Sequence, residues 1–187
     1  MRLDNLSAAD ALSLVYGFFH PKGVGQKPRQ HYRARSNGEG WGLVDAMTAG
    51  KILAAVDTCS PALKSWSMWA HTDEGTGTDH YTLMVAIKDQ FDIDKVVAVR
   101  GLDHAIQIVR LISAVIDDHQ ATCQSRRGCK RLAALIGVDE CQFKAGRSWT
   151  KVKEFIECAL ASYETSLQEV VGAALDELRG GADDYNV

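Results

Sequence analysis

Apolar positions in this chain recur every three to four residues far more often than every second one, which is the period of a helix and not of a strand. From Leu6 or Ser7 to Phe19, the residues Ala8, Leu12, Val15, Tyr16 and Phe19 form one stripe. Ser7 and Asp10 supply a start signal, and Pro21 and Gly23 a stop. Leu43 to about Val56 reads as a second helix. Ser60, an N-cap followed by Pro61 at the first helical position, opens a third through Leu63, Trp66 and Trp69 or Ala70. The stretch HTDEGTGTD (71–79) is a polar loop, and Tyr81 to Ile87 reads as a helix or a short strand. Asp92 or Asp94 caps a helix through Val96 to Arg100, Gly101 interrupts it, and LDHAIQIVRLISAVIDDH (102–119) is strongly helical. From Trp149 onward helical spacing persists for about 30 residues, predicting a helix roughly 45 Å long that ends at Gly180 and Gly181, with Gly172 as the place for a bend. The class is all-α: a helical bundle with a C-terminal helix-turn-helix followed by a long helix.

The first two helices are separated by a segment with no periodicity, HPKGVGQKPRQHYRARSNGEGWG (20–42), rich in glycine, proline and cations. His20, Lys22, Lys27, Arg29, His31, Arg33 and Arg35 precede its first acid, Glu39, with Tyr32 among them. It reads as a solvated loop, or as an arm able to track a phosphate backbone. Length adds one constraint: 187 residues suit a single domain or a domain with a small appendage. The expected division is a helical bundle with a basic loop over 1–122, and a helix-turn-helix with the long helix over 123–187.

Charge changes the picture more than composition does. At 46% hydrophobic and 24% charged residues, with a net charge of -3, the chain is neither disordered nor uniformly basic. The distribution is uneven, however. Residues 126–153 carry Arg126, Arg127, Lys130, Arg131, Lys144, Arg147, Lys151 and Lys153 against Asp139 and Glu140, a net of +6, while 154–187 carry eight acids and one arginine, a net of -7. A local basic stripe masked by an acidic tail is the electrostatic footprint of a phosphate-backbone binder.

The same basic segment has a two-helix pattern. Cys129 to Ile136 is a short amphipathic helix with the small Ala133 where two helices cross closely. Gly137 supplies the tight turn and Val138 the buried turn residue. Asp139 with Gln142 three residues on resembles a capping box that opens a second helix. Phe143 then points inward, leaving Gln142, Lys144 and Arg147 outward, where side chains near the start of such a helix meet base edges and phosphates.

The stretch RLAALIGVDECQFKAGRSWTKVKEFIECAL (131–160) resembles the helix-turn-helix and trailing long helix of phage transcription regulators, in particular the Q-type antiterminators and sigma region 4-like domains. The Lys64, Trp66, Trp69, Ala70 run after Ser60-Pro61 is similar to phage proteins of that kind. The resemblance spans about 30 of the 187 residues and departs from the pattern at Gly146, where a branched apolar residue is usual, so the second helix is expected to be short or to end there. It implies sequence-specific binding of double-stranded DNA near a promoter and contact with RNA polymerase. The residues that match are Ala133, Gly137, Val138, Gln142, Lys144 and Arg147. Adding the local cations, the expected DNA-binding set is Arg126, Arg127, Lys130, Arg131, Gln142, Lys144, Arg147 and Lys151. A homodimer through the long C-terminal helix is also expected. The alternative is a helical interaction or scaffold protein that binds a protein partner and no nucleic acid.

Other chemistry is thinly represented. His71, Asp73, Asp79 and His80 are suitable metal ligands by type, as are His119, Cys123, Cys129 and Cys141, but their spacings match no ligand pattern. No metal and no cofactor is expected. GxGxxG, GxxxxGK[ST] and GxSxG are absent, and GVGQKP (23–28) is no phosphate loop, so a non-enzyme is expected. Trp66 and Trp69 suit a core or an interface. Five cysteines without a CxxC pair suit reduced thiols. No apolar run approaches the ~18 residues of a membrane span, and Asp4 and Asp10 argue against a signal peptide, so the expected location is a bacterial host cytoplasm.

Overall fold

Helix is the only regular structure among the described residues of the computed structural model. Those residues are Ala8, Ala11, Leu12 and Val15, then 40–183 without Asp73, Ala121, Thr122, Gln124, Gly146 and Arg147; at 40–47, Ala145, Ser148 and 181–183 only the backbone is described. The helices are α1 (Gly40–Asp57), α2 (Pro61–His71), α3 (Gly77–Lys88), α4 (Ile93–Arg100), α5 (Leu102–Asp117), α6 (Cys129–Ile136), α7 (Glu140–Ala145) and α8 (Ser148–Asp183). The all-α expectation therefore holds, and the ambiguous 81–87 stretch is helical within α3. The basic loop expected at 20–42 lies outside the described residues up to 39, and its last three residues open α1.

Local rules account for most boundaries. Pro61 sits at the first position of α2. α3 begins with a capping box: Thr76 accepts from the Asp79 backbone N–H, and the Asp79 carboxylate accepts from the Thr76 N–H at 2.9 Å. Asp92 caps α4 through the Lys95 N–H at 3.2 Å. α4 and α5 are separated only by Gly101, whose φ of 86° is costly for any residue with a Cβ. α8 runs 36 residues, about 54 Å, and passes through Gly180 and Gly181 to Asp183 instead of stopping at them.

The chain groups into two compact units, Met1–Ser60 with Ser166–Val187, and Pro61–Thr165. In the first, Ala11, Leu12, Val15, Ala49, Ile52 and Val56 are buried, as are Leu167, Val171, Ala174 and Leu175 of α8. In the second, α5 is the centre. It packs against α3, α4 and α6, and it buries Ala105, Ile108, Leu111, Ile112, Val115 and Ile116 along one face. α2 packs on α3 and α6 on α7. The N-terminal half of α8 brings Trp149 to 4.7 Å from the His104 ring and Phe155 to 4.7 Å from Phe91, between ring centroids. The boundary expected near 122 falls inside this second unit, because α6 lies against α5, so the segments before and after it share one core.

Because Ile112 is fully buried at the centre of that packing, Ile112→Ala should lower unfolding free energy by about 2–5 kcal/mol, read as a reduced urea midpoint at unchanged slope.

Candidate nucleic-acid interface

The basic segment begins with a structural anchor. The Arg127 backbone N–H donates to Asp118 Oδ2 at 2.9 Å, and its Nη1 donates to the Ala114 carbonyl at 3.0 Å. Both terminal nitrogens reach Asp117 Oδ2, at 3.4 and 3.5 Å, and Nη1 lies 3.5 Å from Asp118 Oδ1. Asp118 is buried, and its Oδ1 makes no hydrogen bond, so the guanidinium is its charge partner. A cation at the α5 C-terminus also complements the helix dipole. Among the described members of the expected DNA-binding set, Arg127 is thus the one tied down inside the protein.

From this anchor α6 runs with Leu132, Ala133 and Ile136 buried and Lys130 and Arg131 exposed. Gly137 takes the left-handed conformation (φ 75°, ψ 33°), which glycine adopts without a steric penalty. Its N–H donates to Ala134 O and that of Val138 to Ala133 O, closing α6 in a Schellman-type end. Val138 is half-buried, less enclosed than expected. Asp139 Oδ1 then accepts from the Cys141 N–H at 2.7 Å and caps α7. The reciprocal bond expected from Gln142 is not formed; Gln142 is exposed instead. Phe143 is fully buried, and its carbonyl accepts from the Thr150 hydroxyl at 3.3 Å.

The outward residues differ in their freedom. Arg126, Lys130, Arg131 and Lys151 are exposed and make no hydrogen bond or ion pair with a described residue. Lys144 is exposed and pairs with Glu140 one turn back at 2.6 Å; that hydrogen bond and charge hold its ammonium above the ordinary lysine range. Lys153, half-buried, pairs with Glu157 at 2.6 Å. Arg147 and Gly146 lie outside the described residues.

The candidate metal ligands are engaged elsewhere. Asp79 caps α3, His71 Nε2 lies 2.9 Å from Glu164 Oε2, and His80 Nε2 lies 3.2 Å from Asp117 Oδ1. Asp73 is outside the described residues, and no group of three potential ligands occurs among the described ones. None of the five cysteines is in a disulfide. Ser113, His80 and Asp117 meet, yet the Ser113 hydroxyl (3.4 Å) and the Asp117 carboxylate both address Nε2. A proton relay needs them on opposite ring nitrogens, so this cluster is no nucleophilic triad. Trp66 and Trp69 are buried, as expected of core residues; their indoles donate to Glu164 Oε2 and to the Ile116 carbonyl, each at 2.9 Å.

Two features escaped the sequence reading. The Thr76–Asp79 capping box was legible as T-x-x-D within the polar loop. The commitment of Arg127 was not, because its partners Ala114, Asp117 and Asp118 lie nine to thirteen residues away across a turn. Comparison of the chain with protein-family models, with curated proteins and with solved structures finds no match.

Two outcomes follow from the anchor and two half-buried histidines. Arg127→Met leaves the Asp118 carboxylate buried without its cation and should cost about 3 kcal/mol of stability, measured by urea denaturation. Burial pushes the His119 pKa below its ordinary 6.5, with Arg126 adding to the effect and the Val115 carbonyl opposing it, and burial and Arg100 lower His104 likewise. The folded state therefore resists a proton that the unfolded chain accepts, so stability is full above the ordinary histidine value and falls as pH drops below it. Melting temperature should decline from about pH 7.5 to about pH 5.5, and His119→Asn should flatten that decline.

Proposed function

We propose that this protein is a non-enzymatic, phage-type DNA-binding transcription regulator of antiterminator-like kind. In this reading α6 and α7 act as a helix-turn-helix on double-stranded DNA. One observation carries it: Leu132, Ala133, Ile136 and Phe143 are buried, while Arg126, Lys130, Arg131, Gln142, Lys144 and Lys151 are all exposed in a segment of net charge +6. An ordinary structural hairpin does not require that concentration of exposed cations.

The roles follow from side-chain chemistry. Gln142 and Lys144, on the second helix, are placed to address base edges and the adjacent phosphates. Arg126, Lys130, Arg131 and Lys151 contact phosphates and set orientation. Lys144, itself exposed, exchanges its half-buried Glu140 partner for a phosphate at little cost, since ion pairs at the protein surface contribute little. RNA polymerase is the protein partner that the antiterminator reading implies, and α8 is the surface for a homodimer. Five cysteines with none in a disulfide suit a reducing cytoplasm. No described helix is long and apolar enough to cross a membrane.

The test is binding to random duplex DNA across a salt series. The log-log slope should be about -4 or steeper, and Arg131→Ala with Lys144→Ala should reduce its magnitude by about 2, close to 0.9 per lost phosphate contact. An undetectable interaction at low salt would leave the scaffold reading in its place.

A further inference from the structure

We propose that the groove between α5 and α6 docks an acidic amphipathic helix of a protein partner. The inference is independent of DNA binding by the hairpin. α5 carries two apolar faces. One is the core face described above. The other begins with Leu102, 62% exposed, and Ile106, 40% exposed, and continues through half-buried Val109 into a groove of about 490 Å³. Across that groove stands Leu135 of α6, 49% exposed, and Ala114 contributes to the wall between them. Residues 102, 106, 109 and 113 share one side of the helix by their spacing. Val99, the penultimate residue of α4 before Gly101, is also exposed, at 70%. A helix apolar on both faces is normally covered on both, and no described residue covers this one.

Shape and charge select the occupant. The apolar positions Leu102, Ile106 and Val109 run about 10 Å along α5, with Leu135 across the groove and Ser113 and Asp117 beyond them, and a line of apolar side chains at helical spacing is what the anchors of an amphipathic helix engage. The acid inside the groove, Asp117, shares Arg127 with the buried Asp118 and lies 3.2 Å from His80 Nε2. Arg110 also lines the groove and makes no hydrogen bond or ion pair with a described residue. Arg131 lies one turn before Leu135 on α6, exposed and likewise without an ion pair to a described residue. The groove lining thus carries Arg110 and Arg127 against Asp117, and Arg131 adds a further cation beside Leu135. A partner helix with leucine-type anchors and carboxylates flanking its Leu135 end fits; a basic one meets Arg110 and Arg131.

The experiment uses the full chain and a labelled synthetic helical peptide of about 15 residues with leucines at i, i+4, i+7 and i+11 and glutamates between them, followed by anisotropy. A second peptide carries lysines in place of the glutamates. Saturable binding of the acidic peptide is expected, weakened about tenfold or more by Ile106→Asp, by Leu135→Asp and by Arg110→Glu, and about tenfold weaker for the lysine peptide. Both apolar positions are exposed, so the variants should melt as the parent does. Absence of binding, equal binding of the two peptides, or binding indifferent to Ile106→Asp and Leu135→Asp would each overturn the proposal. A dimer in sedimentation equilibrium that these substitutions dissociate would assign the groove to a second copy instead. DNA affinity measured on Ile106→Asp, which lies outside the hairpin, should be unchanged; its loss with peptide binding retained would give the groove to the nucleic acid.

Discussion

The C-terminal turn of α5 is the point on which the second unit depends. A helix leaves its last carbonyls without intrahelical partners, and burying them unpaired is costly. Here four consecutive carbonyls each meet a side chain drawn from elsewhere in the unit or from the turn itself, Ala114 O and Ile116 O in addition to the backbone N–H groups of Asp118 and His119. Ser113 O lies 3.3 Å from His80 Nε2, Ala114 O accepts from Arg127 Nη1, Val115 O is 2.9 Å from His119 Nδ1, and Ile116 O accepts from Trp69 Nε1. α2, α3, the turn after α5 and the entry to α6 are all tied to one helix end. The apolar face of α5 supplies the bulk of the burial, and this polar end sets how its neighbours are placed.

That arrangement divides the basic segment into two kinds of cation. Arg127 is structural, since its guanidinium answers a buried carboxylate and a helix terminus together. Lys153 is held by Glu157 on α8. Arg126, Lys130, Arg131 and Lys151 have no such duties, and Lys144 holds only the half-buried Glu140 one turn back. A cluster of cations left unpaired beside abundant acids elsewhere in the chain is electrostatically available to a polyanion, and this is the physical content of the DNA-binding proposal. The acidic residues of α8 keep the net charge near neutral without neutralising the hairpin residue by residue.

The groove between α5 and α6 arises from the same anchor. Arg127 and Gly128 turn the chain so that α6 lies along α5, which places Leu135 across from Val109 and Arg110. Two helices in contact over a short length leave a furrow beside the contact, and here Val109, Ala114 and Leu135 line it together with Arg110, Asp117 and Arg127. The groove therefore combines apolar and charged groups, whereas the outward residues of the hairpin are polar and basic.

Much of the architecture was legible in the chain itself. Periodicity and helix-start signals located the described helices other than α3, Ser60-Pro61 and Asp92 marked two starts, Gly101 marked a break, and Gly137 and Phe143 took the conformation and burial their positions required. These are local properties, governed by backbone sterics, capping and the spacing of apolar residues over a few turns. The helical form of 81–87 was not decided locally, because its apolar run fits either period; the Thr76–Asp79 cap and packing on α5 decided it. Gly180 and Gly181 did not end α8, a reminder that glycine only weakens a helix. Which cations are free was also beyond the sequence, since Arg126 and Arg127 are neighbours of identical chemistry and only the approach of Asp118 and the Ala114 carbonyl separates them. The exposed face of α5 was hidden for the same reason: a residue's partners across the fold depend on where other helices lie. The sequence by itself determined an all-helical chain and a basic two-helix segment, through interactions between near neighbours. Tertiary structure alone decided which charges are spent inside and which apolar face is left open, because both depend on groups far apart in the chain meeting in space.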